Sequence, residues 1–137
     1  MADISITAAS VLASSSAVIE KRYTFGATVT GGQGVVLDDN EQWQPYDSNG
    51  TTNHEITRKR GIALHGGASG QPAAVCLKDA DFTPGGPLTN GTAVYASTTA
   101  GGIAHDIPTT GAYPVCYGLP KSTTKMNLLP VASGAVM

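Results

Sequence analysis

The chain has 137 residues, enough for one domain with a core of useful size. Only 13% of them are charged, about half the usual share, while 17 glycines and 8 prolines exceed the average. With 41% hydrophobic residues the chain is no disordered polymer, and the shortage of Glu, Lys, Arg and Leu excludes a helical bundle. A net charge of −2 leaves no basic surface to neutralise several phosphates, so nucleic acid is not an expected partner. The one basic cluster, Arg58-Lys59-Arg60, and the smaller Lys21-Arg22 lack interleaved aromatics and read as solvated turn faces. No run of 18 apolar residues is present, so no membrane span is expected. The first residues have no positive stretch and do not read as a signal peptide.

In chain order, residues 1–17 combine a short alternation, Asp3, Ile4, Ser5, Ile6, Thr7 and Ala8, with a bland run of alanines and serines. That is too little apolar bulk to offset the roughly 1–2 kcal/mol of backbone entropy lost per ordered residue. The segment reads as an arm that gains its order from elsewhere, or equally as the first edge strand of the domain. In the first reading residues 3–8 add to a partner's sheet edge and form the contact with it.

Residues 18–137 read as one β-domain. Residues 18–23 and 25–30 alternate, and Gly31-Gly32-Gln33-Gly34 turns the chain. Val35-Val36-Leu37 is stopped by Asp38-Asp39-Asn40, a hairpin signal, and residues 41–46 carry the only tryptophan, Trp43. Residues 47–59 are polar, with Thr52 and Glu55 at capping-box spacing, so a helical turn and a loop are both open. Strands are expected at 61–65 and 71–77, a Gly/Pro loop at 79–87, and further strands at 92–97, 103–107, 112–119 and 122–129. Turn signals recur roughly every 8–12 residues, the spacing of an antiparallel sandwich or barrel.

No catalytic constellation assembles. Gly66-Gly67-Ala68-Ser69-Gly70 lacks the nucleophile-elbow arrangement and reads as a hairpin turn. Gly31, Gly32 and Gly34 resemble part of a phosphate loop, but no Lys-Ser/Thr follows, so a turn is expected. His54, His65 and His105 have only Glu55 and Asp106 beside them, each adjacent in sequence, so no metal site and no cofactor is expected. Cys76 and Cys116 lie in apolar stretches and read as buried free thiols. Trp43 suits a core or interface position, with a carbohydrate platform as the alternative.

The stretch Arg60-Gly61-Ile62-Ala63-Leu64-His65-Gly66-Gly67-Ala68-Ser69-Gly70-Gln71-Pro72-Ala73-Ala74-Val75 resembles small virion proteins of tailed phages, of the head-decoration (capsid cement) kind. Leu88-Thr89-Asn90-Gly91-Thr92-Ala93-Val94-Tyr95 with Thr98-Thr99-Ala100-Gly101-Gly102-Ile103 is similar to the same family. So are Val115-Cys116-Tyr117-Gly118-Leu119-Pro120-Lys121-Ser122-Thr123-Thr124 and Gly32-Gln33-Gly34-Val35-Val36-Leu37-Asp38 followed by Trp43. The likeness covers about residues 17–130 and is carried by turns and strand cores. Residues 53–60 depart from it by being more charged.

The strand and turn pattern makes the fold all-β with residues 1–17 as an extended N-terminal arm, and the resemblance implies a small antiparallel β-barrel or β-tulip-like sandwich related to lambda-type decoration proteins. It implies a homotrimer bound to the major capsid protein on the outside of the expanded head, assembled in the host cytoplasm, and it transfers no catalytic residue. The alternatives left open are another virion role, such as a head-fibre base or tail-associated protein, and a carbohydrate-binding β-domain.

Overall fold

Residues 3–50, 52–107 and 110–137 are described by the computed structural model. Ten short strands succeed one another: β1 (Val18–Glu20), β2 (Thr24–Phe25), β3 (Gly34–Leu37), β4 (Gln42–Pro45), β5 (Arg60–Ala63), β6 (Val75–Phe82), β7 (Val94–Ala96), β8 (Ile103–Ala104), β9 (Val115–Pro120) and β10 (Met126–Ala132). One 3₁₀ turn (Ala8–Ser10) precedes them, and no α-helix occurs among the described residues. The expected all-β class is what the chain adopts. The strands form one open sheet in the order β2-β4-β3-β5-β6-β10-β9-β7-β8, antiparallel except for the β2–β4 pair.

Alternation along the central strands decides how the core divides. On β3, Val36 faces a large cluster with Ile62, Cys76, Phe82, Tyr117, Met126 and Leu128, whereas Val35 faces a smaller one with Phe25, Trp43, Ala63 and Val75. Ile62 and Ala63 of β5 split in the same way, as do Cys76 and Val75 of β6. The pairs Gly34↔Ile62 and Ile62↔Cys76 hold these strands in register, so β3, β5 and the start of β6 are covered on both faces. This is why they read as continuous apolar runs in the sequence.

β6 is the longest strand and serves two neighbours along one edge. Its first residues pair with β1 (Ile19↔Cys76, Val18↔Lys78) and its later ones with β10 (Leu128↔Asp79, Met126↔Phe82). Residues 79–82 were expected to begin a loop; instead they continue the strand. The reason is that Asp79 is buried and fully hydrogen-bonded, so it does not act as a breaker, and Phe82 alternates back into the core. Other expected strands are shorter or shifted: those at 18–23, 71–77, 92–97, 112–119 and 122–129 become Val18–Glu20, Val75–Phe82, Val94–Ala96, Val115–Pro120 and Met126–Ala132. Residues 25–30 contribute only Phe25 to a strand plus an isolated bridge, Val29↔Gly67, and the strand expected at 103–107 stops at Ala104. Residues 52–59 form a loop, with no helical turn at Thr52.

The β3–β4 hairpin shows how turn chemistry sets an element. The Asp38 carboxylate accepts the amides of Asn40 (2.9 Å) and Gln42 (3.0 Å) and the side-chain Nε2 of Gln44 (2.9 Å). Glu41 closes the turn in the left-handed region, at φ 59°. Such a φ disfavours a residue with a Cβ by roughly 1–2 kcal/mol. Asp38→Ala is therefore expected to lower stability by about 1–3 kcal/mol, and Glu41→Gly to raise it by up to about 1 kcal/mol, read from denaturant unfolding.

Both cysteines are free, but they differ in environment. Cys76 is fully buried, and burial together with the nearby Asp79 carboxylate pushes its thiol up to about 12. Cys116 was expected to be buried and is half-exposed, because on β9 the period of two sends Val115 and Tyr117 inward and Cys116 outward. A thiol reagent at neutral pH is expected to modify Cys116 in the native protein and Cys76 only after unfolding.

Candidate interaction surface

Residues 3–17 lie along the domain rather than away from it. Asp3 bridges Ala104 at the outer side of β8, and the Ile4 amide donates to the Ile103 carbonyl at 2.8 Å. The Thr7 amide donates to Gly85 O at 2.8 Å, and Leu12 and Thr83 exchange a pair of bonds at 2.9 Å. Ile4 and Ile6 are half-buried against the large cluster, while Val11 belongs to it. Asp3, Ser5, Thr7 and Ala8 stay exposed. Residues 3–12 thus lie against the domain as a bridged segment, with Asp3 and Ile4 beside β8 and Thr7 and Leu12 beside residues 83–85.

Glycines make the track on which it lies. A Cβ at Gly86 would stand 2.3 Å from the Ser5 carbonyl oxygen, and one at Gly32, where φ is +90°, would stand 2.3 Å from Ile6 Cγ2. The Gly31-Gly32-Gln33-Gly34 segment, which resembles a phosphate cradle in sequence, turns at Gly31-Gly32, whose missing side chains admit Ala8 and Ile6 of the arm, while Gly34 begins β3 and leaves room for Tyr117.

Asp79 fastens the end of the arm. It accepts the Ser14 amide at 2.6 Å, the Ser14 hydroxyl, the Ser16 hydroxyl at 2.9 Å and the Asp81 amide at 3.0 Å. Burial alone would raise its pKa, but these donors outweigh burial and hold the carboxyl below its ordinary range. A folded-state pKa below the unfolded one means that the stabilisation is complete above the ordinary carboxylate range and is lost as pH falls through the folded value. Asp79→Asn is expected to loosen the arm at neutral pH by about 1–3 kcal/mol, read as faster amide exchange at Ser14. The same variant should lose the share of acid sensitivity that Asp79 contributes to the seating of Ser14, read as a flatter pH dependence of that amide's exchange protection.

The other residues singled out from the sequence are structural. His65 Nε2 accepts the Ala74 amide at 3.1 Å, and His105 Nε2 accepts the Thr89 amide at 2.9 Å, so both rings tie loops together. His54 stacks on Tyr113 with centroids 3.8 Å apart, 2.9 Å from the Tyr46 hydroxyl through Nδ1. No three His, Cys, Asp or Glu side chains converge as metal ligands among the described residues. Ser69 lies exposed in the turn ahead of Gly70. Trp43 is 0% exposed, edge-on to Tyr23, and presents no face on which a sugar could stack.

Charge is arranged differently from the expectation for Arg58-Lys59-Arg60. Arg58 pairs with Asp39 and Glu55, each at 2.7 Å, and Lys59 reaches Glu20 at 2.7 Å, where Arg22 also bonds. Those two cations hold the Glu20 carboxyl at about 2. Arg60 is not solvated but buried, because it opens a strand covered on both faces.

The outer side of β9 and β10 exposes aliphatic side chains beside the polar Asn127: Leu119, Leu129 and Val131 are each more than half exposed, and Val18 and Ile56 stand near Leu129. No sequence pattern isolates such a face, because the alternation that buries Leu128 exposes Leu129. No match was found among family models, curated proteins or solved structures.

Proposed function

We propose that this chain is a virion structural protein, a decoration protein that binds the outside of an expanded phage head as a homotrimer through contacts with the major capsid protein. The observation that carries the reading is the row of exposed aliphatic side chains on β9 and β10 of a domain with few charges. Large exposed apolar patches mark association surfaces, and burying one such side chain contributes about 1.5–3 kcal/mol. The likeness of the turns and strand cores to head-decoration proteins supports the same role.

The physics of that role is modest affinity repeated. Once one subunit of a trimer is bound, the other contacts become intramolecular, and avidity rises by about 10²–10⁴ without stronger individual contacts. The extended segment Asp3, Ile4, Ser5, Ile6, Thr7 and Ala8 would add to a strand of the capsid protein or of a neighbouring subunit, main chain giving affinity and alternate side chains giving register. Trimers on the head, rather than a ring on the tail, separate decoration from the other virion roles.

The experiment is co-expression with the structural genes of its own genome, followed by electron microscopy of the particles and light scattering of the free protein. The expected result is a trimer on expanded heads. Leu119→Asp and Val131→Asp, both at exposed positions, should reduce occupancy at least about tenfold with little change in melting temperature. Full decoration by both variants, or a monomer that never binds heads, overturns the proposal.

A further inference from the structure

β1 and β10 occupy the same edge of β6 one after the other, and where they part they leave a cleft of about 230 Å³. Val18, Leu77, Leu129 and Pro130 give it aliphatic walls, and the loop of residues 52–59 adds Ile56. Arg60 is the one buried residue of the lining, at 7% exposure. Its Nη2 donates to the carbonyls of Asn53 (2.9 Å) and Glu55 (3.1 Å), and its guanidinium stands over the Tyr46 ring at 4.6 Å. Its Nε and Nη1 are buried without a hydrogen-bond partner.

The charges around this group are one-sided. Arg58 and Lys78 also line the cleft, and no acidic residue does. Arg58 is answered by Asp39 and Glu55, whereas neither Arg60 nor Lys78 forms an ion pair among the described residues. A buried guanidinium stays protonated, so although two carbonyls and the Tyr46 ring meet it, the three N–H groups of Nε and Nη1 lack an acceptor, at a cost that an incoming anion would lower. Arginine favours carboxylate because its donors match the two oxygens.

We propose that this cleft is a recognition pocket for a partner-protein segment that carries a carboxylate beside an aliphatic side chain, an Asp or Glu next to Leu, Ile, Val or Met. The carboxylate meets Arg60 and Lys78, and the aliphatic group fills the space between Val18, Leu77 and Leu129. Small-molecule sites usually occupy roughly 300–1,000 Å³, so this cleft suits a pair of side chains and not a nucleotide or oligosaccharide. The cleft shares Val18, Ile56 and Leu129 with the apolar face on which the proposed function rests, yet any protein segment of this chemistry fits it, so peptide binding and head binding hold or fail separately.

The test is a titration of the full ¹⁵N-labelled chain with acetyl-Leu-Glu-Leu-amide, its Gln counterpart and hexanoate, followed by NMR. The Glu peptide is expected to shift Arg60 Nε–H and the amides of Lys78 and Leu129, and to bind at least about tenfold more tightly than the Gln peptide. Lys78→Glu, an exposed change that leaves the core intact, should weaken it by a similar factor. Arg60→Met should abolish the difference between the two peptides, and the Lys78 variant carries the test if Arg60→Met does not fold. Equal binding of the Glu and Gln peptides, no binding, or shifts that map elsewhere overturn the proposal. Hexanoate binding about tenfold more tightly than the Glu peptide would overturn it in favour of a free fatty acid.

Discussion

Two-sided burial of β3, β5 and the first half of β6 is the constraint from which the rest of the domain follows. Each of these strands feeds alternate side chains to two separate apolar clusters, so neither face can turn to solvent. A shift of register by one residue would exchange the two sets, putting Val35 where Val36 belongs and Ala63 where Ile62 belongs. The larger cluster has to be closed by something outside these strands, and β7, β9, β10 and the N-terminal segment provide that cover. The smaller is closed by β2, β4 and the Trp43 ring.

This constraint explains what the sequence discloses and what it hides. Strands flanked by glycine turns and built from paired apolar residues, such as Val35-Val36 and Ile62-Ala63, are visible because their burial is written locally. The end of β6 is hidden because Asp79 reads as a breaker until its four donors, from Ser14, Ser16 and Asp81, are known. The seat of the arm is hidden for a similar reason. It depends on side chains that Gly32 and Gly86 do not have, and absence has no periodicity.

The surface features were the least legible. Arg58, Lys59 and Arg60 are indistinguishable as a string, yet one is paired across a loop, one reaches Glu20 and one is buried beside Tyr46. Their separate fates follow from where β5 begins, since Arg60 is the first residue that the central sheet covers on both sides. The cleft next to Arg60 likewise needs two strands, β1 and β10, that are more than a hundred residues apart in the chain.

The way the N-terminal segment lies on the domain also has a mechanical side. Its anchors are spread along its length, at Ile103, Gly85, Thr83 and Asp79 in succession. Tension directed along the segment is shared among these bonds, and all must yield nearly together. A pull that lifts residue 3 away from the sheet meets them one at a time, like a zip. A neighbour that tugs lengthwise on this strand therefore meets a stiff tether, while one that approaches from the Asp3 end can open it stepwise.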